Sequence, residues 1–209
     1  MKPSLLAVEF VIAGFVVGVG GPAAAHALPV HVETGLGFTK TFSNSEVASS
    51  FGATTGLELQ AGLGQDWTVG GFYDFKATFG ASFFTLSFLN FYGVEAFYAA
   101  SRSESSALWL GLKLGKATGF TSQWFVLPIG IGAYDNWAIG PSLSYLFRSG
   151  PTFSYGPALT VYWLPGKTVS YSGVGSGEYA ISSVCVFDVG IRLRWSFGED
   201  ASPSPESPK

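Results

Sequence analysis

Asp74 and Lys76 stand two residues apart, as do Arg192 and Arg194, and Asp188 lies four positions before Arg192. In an extended chain successive side chains point to opposite faces, so the members of each set share one face. Glu33, Glu58, Glu95, Lys113 and Arg148 hold the equivalent place in other stretches, opposite the bulky apolar residues. Five acids (Glu33, Glu58, Asp74, Glu95, Asp188) and five bases (Lys76, Lys113, Arg148, Arg192, Arg194) therefore gather on one kind of face. Such residues could line a passage, hold a polar solute or act as general acid and base. They could also do no more than neutralise one another where side chains fill a closed interior. The equal numbers favour internal ion pairs.

Few other residues offer chemistry. With residues 1–27 set aside as a signal peptide, His31 is the one remaining histidine, and beside Glu33 it reads as a polar contact rather than a base. Cys185 is the single cysteine, which excludes an internal disulfide framework and a cysteine-rich metal site. Gly130-Ile131-Gly132 lies inside an alternating run and precedes no helical pattern, so it is not read as a nucleotide loop. We expect no catalytic residues, no cofactor and no metal. A net charge of −3 supplies no basic field, so no nucleic-acid partner is expected.

The elements that must position the charges are legible as two-residue alternation. The clearest run is Val184–Phe197: Cys185, Phe187, Val189, Ile191, Leu193, Trp195 and Phe197 form an apolar face against Asp188, Gly190, Arg192, Arg194 and Ser196. A helix would scatter the same residues around its circumference. A one-residue slip would turn both arginines outward, and in a bilayer each at mid-depth would then cost roughly 2–4 kcal/mol. Eight earlier runs alternate: Val30–Phe42, Leu57–Leu63, Trp67–Phe79, Phe84–Tyr98, Leu108–Leu114, Phe125–Ile131, Trp137–Phe147 and Phe153–Trp163. Lys167–Gly173 is a short, weak ninth. Most are about ten residues long, as a tilted strand needs to cross a membrane. Gly64-Gln65-Asp66, Tyr134-Asp135-Asn136 and Ser149-Gly150-Pro151 read as turns, and Ser43–Ser50 and Ser101–Ser106 as longer loops. The rival reading, membrane helices, rests on the uncharged stretch Ala77–Val94, but its neighbours alternate at period two.

At 47% hydrophobic and 12% charged, the chain is greasier than an ordinary soluble domain. Residues 1–27 read as a cleaved signal peptide: Lys2, an apolar stretch Leu5–Gly20 broken by Glu9, then Ala25-His26-Ala27. Residues 28–197 then form the barrel, and Gly198–Lys209, with Pro203, Pro205 and Pro208 among serines and acids, reads as a disordered tail.

The closing run resembles the last strand of bacterial outer-membrane β-barrels, which alternates and ends in an aromatic residue. Leu193, Trp195 and Phe197 stand in that place, and the chain continues past Phe197. The chain as a whole resembles the small OmpA-like, OmpX-like or OmpW-like barrels of the Gram-negative cell envelope. The resemblance implies an all-β, antiparallel transmembrane β-barrel of 8–10 strands in an up-and-down meander. It implies the outer membrane as location, outer-membrane lipids as surroundings and the barrel-assembly machinery as reader of Leu193, Trp195 and Phe197. Such barrels have an even number of strands. Either Lys167–Gly173 is a wall strand and there are ten, or one run lies outside a wall of eight, as half of a hairpin with Glu178–Ser182. On the ten-strand reading Trp67, Tyr98, Trp137, Trp163 and Trp195 form an aromatic girdle at the periplasmic rim, and Phe42, Phe79, Phe120 and Phe147 one at the outer rim. Phe72, Trp109, Trp124 and Tyr162 point inward, where they would plug the lumen. The implied role is structural or surface-interacting, with a narrow porin-like channel for small or apolar solutes as the alternative. Barrel enzymes acting on lipid or peptide use histidine, and their surface chemistry needs an outer-rim site, whereas His31 opens the first strand at the other end. The oligomeric state stays open.

Overall fold

The computed structural model describes residues 28–43, 50–80, 85–125, 127–173, 176–181 and 183–198. The expected signal peptide, the centre of the Ser43–Ser50 loop and the tail beyond Gly198 lie outside them. Among the described residues there are strands and turns and no helix. The strands are β1 (Val30–Ser43), β2 (Ser50–Leu63), β3 (Trp67–Gly80), β4 (Thr85–Arg102), β5 (Ser106–Phe125), β6 (Leu127–Arg148), β7 (Phe153–Leu164), β8 (Lys167–Gly173), β9 (Ser176–Ile181) and β10 (Val184–Phe197). Ala77–Gly80 belong to β3 and Thr85–Val94 to β4, so the helical reading is excluded.

β1 to β7 pair consecutively and antiparallel, and β10 joins β7 to β1. The wall is therefore a closed meander of eight strands. Its seam runs from Val30↔Phe197 to Ser43↔Val184 without a register shift. β8 and β9 form a hairpin outside the wall, the second of the two expected arrangements. It leaves the wall after β7 and touches β6 only through Gly130–Gly132 against Tyr171–Gly173. At 7 residues β8 is too short to cross a bilayer.

The structure corrects two sequence expectations. Phe125–Ile131 and Trp137–Phe147 are not separate strands, because β6 runs for 22 residues straight through Tyr134-Asp135-Asn136. The physical reason is parity: within β6 Leu127, Ile129 and Ile131 hold odd positions like Trp137 and Phe147, so a sheet needs no break between them. The supposed turn is instead held as strand from outside. Asn136 Nδ2 donates to the Pro165 carbonyl at 2.7 Å, and Lys167 donates to the Asp135 carbonyl. Likewise Ser101–Ser106 is no long loop: β4 passes into β5 through a tight turn, in which Ser103 N donates to the Ser106 carbonyl at 2.8 Å.

Fusing two runs removes one crossing and reverses the direction of Trp137–Phe147 and of β7, while the loss of β8 from the wall leaves β10 running as expected. Phe147 pairs with Ser106 at the end where the chain's β1 begins and β10 finishes, here called the terminal rim. Trp163 pairs with Cys185, which pairs with Phe42 at the far rim, and Trp137 also stands in the far half. The five residues expected on one rim thus divide: Trp67, Tyr98 and Trp195 at the terminal rim, Trp137 and Trp163 toward the other. Both rims are still aromatic. At the terminal rim Trp67 packs on Tyr98, Phe153 on Trp195, and Tyr145 on Phe147. At the far rim Phe42 packs on Phe187 and Phe88 on Phe120. From Tyr98 to Phe88 along β4 the chain climbs roughly 33 Å, or about 25 Å of height at a ~40° tilt, which is the apolar band of membrane barrels.

Between the girdles the outward face is mostly apolar, with Leu36 at 71% and Phe38 at 80% exposure, and Lys40 and Lys116 stand just inside the far girdle against Phe42 and Trp137. Its two threonines at mid-depth spend their hydroxyls on cross-strand carbonyls, Thr34 on Gly56 at 2.9 Å and Thr55 on Gly35 at 3.0 Å. Neither donor is left facing hydrocarbon. Inward glycines let the narrow wall coil. A Cβ on Gly37 would lie 2.4 Å from the Val189 carbonyl oxygen, and one on Gly190 2.3 Å from that of Leu36.

Because Leu164 and Val184 are paired neighbours, the hairpin is dispensable for closure. Replacing residues 166–182 by a short Gly-Ser link should leave heat-modifiable gel migration and the β-type circular dichroism unchanged. Loss of the folded band would put β8 back in the wall.

Candidate functional site

Alternation turns the even residues of β2, β3, β6, β7 and β10, and the odd residues of β4 and β5, into the barrel. β1 contributes its odd residues. This places Glu33, Glu58, Asp74, Lys76, Glu95, Lys113, Asp188, Arg192 and Arg194 inside, all buried. Arg148 has the same parity but ends β6, and it is exposed at the terminal mouth.

The nine buried charges form a ladder along the axis. Near the terminal rim the Arg194 guanidinium grips the Glu33 carboxylate. Arg192 also reaches Glu33, at 3.2 Å, and continues to Glu58 at 3.0 Å. Lys113 then gathers three acids: Glu58 at 2.6 Å, Asp74 at 3.3 Å and Glu95 at 3.6 Å. Toward the far rim Lys76 donates to Asp188 and to Thr54 Oγ1 at 3.2 Å. Neutral groups tie the rungs. Gln60 Nε2 donates to Glu58 at 3.1 Å and to Glu95 at 2.8 Å, Thr68 donates to Gln60 Oε1 at 3.0 Å, and the Tyr162 hydroxyl donates to Asp74.

Every one of these buried cations also rests on an aromatic face. Arg194 lies 4.2 Å from the Trp109 ring centroid, Arg192 5.1 Å from Phe97, Lys113 4.7 Å from Phe72, and Lys76 4.7 Å from Phe91 and 5.0 Å from Tyr162. The ring quadrupole supplements the carboxylates where water is scarce. Phe72, Trp109 and Tyr162 thus stand inward and buried, while the Trp124 side chain lies outside the described residues. A cavity of about 50 Å³ remains where Gly35, Gly37 and Gly56 leave room beside Glu58, Asp74 and Lys113. That holds a few waters.

Sequence parity locates these residues but not their partners. Gln60, Phe91 and Phe97 escaped it because an amide and two rings inside alternating runs carry no charge to mark them. Pairing across β1, β2 and β10 follows from register: Glu33 stands opposite Arg194 on one side and Glu58 on the other. His31, buried at the terminal rim, meets Ser196 with 2.9 Å between Nδ1 and Oγ. Among the described residues no three His, Cys, Asp or Glu side chains are placed to hold a metal.

No protein-family model matches the chain, and no curated protein matches its sequence. Solved structures share its fold. Neisserial surface protein A aligns with a TM-score of 0.61 at 12% identity, over 80% of this chain and 97% of that one. Ail, the attachment invasion locus protein of Yersinia pestis, aligns at 0.51 and 13%, over 81% and 99%. The outer membrane protein AlkL, solved in lipid bilayers, aligns at 0.53 and 11%, over 88% and 98%. The fold is thus the one small bacterial outer-membrane barrels use.

Breaking a buried pair leaves a charge uncompensated, at about 3–5 kcal/mol, whereas apolar replacement of both partners is often neutral. Lys76→Met and Asp188→Leu should each destabilise the barrel by about that amount in urea titrations of the lipid-folded protein, and the double variant should recover most of the loss. Additive losses would mean that the two do not pair.

Proposed function

We propose that this chain is an integral outer-membrane β-barrel whose interior is filled for structure, with its work done at the surface rather than through a pore. The observation that carries the reading is the ion-paired ladder itself, which occupies the axis from Arg194 to Lys76 and engages each of its four cations. The shared fold, the apolar belt and the two aromatic rims support a membrane address, with outer-membrane lipids around the wall. Export by a cleaved signal peptide (residues 1–27) and reading of Leu193, Trp195 and Phe197 by the barrel-assembly machinery complete the proposal. Leu193 and Trp195 line the outward face of the seam strand and Phe197 ends it.

A surface role is supported by the uneven height of the wall. β5 and β6 have 20 and 22 residues against 14 in β1, β2, β3 and β10, so they rise past the far girdle and carry the β8–β9 hairpin. One observation favours the alternative, a passage for small apolar solutes. The far half of the interior is lined by an apolar cluster that includes Phe91, Ala138, Leu164, Val184 and Val186.

Planar-bilayer recording separates the two. The filled interior should give no discrete current steps, and liposomes containing the protein should take up no small solutes. Reproducible steps would favour the channel. The seam is tested in cells: Phe197→Ser should raise the share of unfolded, non-heat-modifiable protein, and unchanged assembly would remove that residue from the signal.

A further inference from the structure

The lipid-facing wall is not uniform around the barrel. Among the described outward residues of β7, β10, β1 and β2, Lys40 is the one charged side chain, and Thr34 and Thr55 have spent their hydroxyls. Across β3, β4, β5 and β6 the pairing registers instead line up two rows rich in polar groups. One holds Tyr73, Tyr92, Lys116 and Trp137, and the next holds Phe75, Asn90, Thr118 and Asp135. Asn90 and Tyr92 follow Phe88 along β4, and Lys116 and Thr118 precede Phe120 along β5, so both rows lie on the membrane side of that girdle pair. The Tyr73 hydroxyl donates to Asn90 Oδ1 at 2.5 Å, which leaves the Asn90 amide N–H groups to face outward. Lys116 Nζ and Asp135 Oδ1 stand 3.9 Å apart, too far for a hydrogen bond, and both side chains are exposed. Acyl chains offer such groups no partner, and ionisable residues on membrane-crossing segments almost always pair within protein or face water.

We propose that this wall, over β3 to β6, docks against the same wall of a second copy of the chain. The inference rests on the membrane reading given above. The patch carries both signs of charge side by side, so it is its own complement. About a two-fold axis along the membrane normal, passing between β5 and β6, Lys116 of each copy meets Asp135 of the other, and the contact is made twice. Tyr73, Tyr92 and Trp137 are exposed beside the charges and supply apolar contact around them. An anionic lipid headgroup is the poorer occupant, because it answers Lys116 and sets a like charge against Asp135. The paired copies also exclude lipid from the ion pairs, where a lower dielectric strengthens them.

The test is single-molecule photobleaching of the full chain in liposomes at high lipid dilution, with one fluorophore at Cys185 on β10, away from the wall in question. The native chain should bleach in two steps well above the chance level. Lys116→Asp and Asp135→Lys each give the wall a single sign and leave the buried ladder alone. Each variant should lower association about tenfold or more with unchanged heat-modifiable migration, and a mixture of the two should recover it. The uncharged double variant Lys116→Gln/Asp135→Asn keeps the side-chain sizes and should also associate more weakly than the native chain. A native chain that floats with the liposomes and bleaches in single steps overturns the proposal and leaves the membrane reading standing. Folded single variants that associate as well as the native chain overturn it too, as does a mixture that stays monomeric. A chain that does not float with the liposomes overturns both.

Discussion

Nine charged side chains have nowhere to go but inward. A β-strand offers two faces, and in hydrocarbon the outer one tolerates no charge while every backbone donor must be met within the wall. Closure supplies both conditions: β10 meets β1 along its full length, and the odd side chains of β10 take the lipid while its even ones take the interior. The architecture follows from that division more than from any local preference for strand.

Filling the interior with charge rather than with apolar volume has a structural logic. An ion pair stripped of water gains little net stability over a hydrophobic filling. It is more exacting about position, since Lys113 satisfies Glu58, Asp74 and Glu95 together only if β2, β3, β4 and β5 hold one register. The aromatic rings beneath the cations add to that demand, because Phe72 of β3 lies under Lys113 of β5, Phe91 of β4 under Lys76 of β3, and Phe97 of β4 under Arg192 of β10. The ladder works as a key to pairing.

Most of the wall was legible in the alternation of types, because one-face burial imposes a period of two that survives without knowledge of neighbours. Val184–Phe197 showed it best, and Lys167–Gly173 showed it least because it never crosses. What failed was the reading of Tyr134-Asp135-Asn136 as a turn. Polar residues in a run usually mark an end, but β5 and β6 continue past the far girdle, and beside it Asp135 faces Lys116 as an ordinary member of a strand. That single misreading carried Trp137, Trp163 and Phe147 to the wrong ends. The inward charges were all found, since parity does not depend on direction. Which acid meets which base was not legible, because that depends on the stagger between strands distant in sequence.

The seam also dictates the order of events as the chain matures. His31 and Ser196 touch across 165 positions, and Glu33 meets Arg194 across 161. Joining such remote segments carries the largest loop-closure entropy and belongs among the slowest steps. Until β10 arrives, the half-made ribbon must carry Glu33 and Glu58 without Arg192 and Arg194, so an open intermediate is penalised by unpaired charge as well as by a bare edge. Maturation is thereby pushed toward a cooperative, all-or-none event that waits on the final ribbon of the wall.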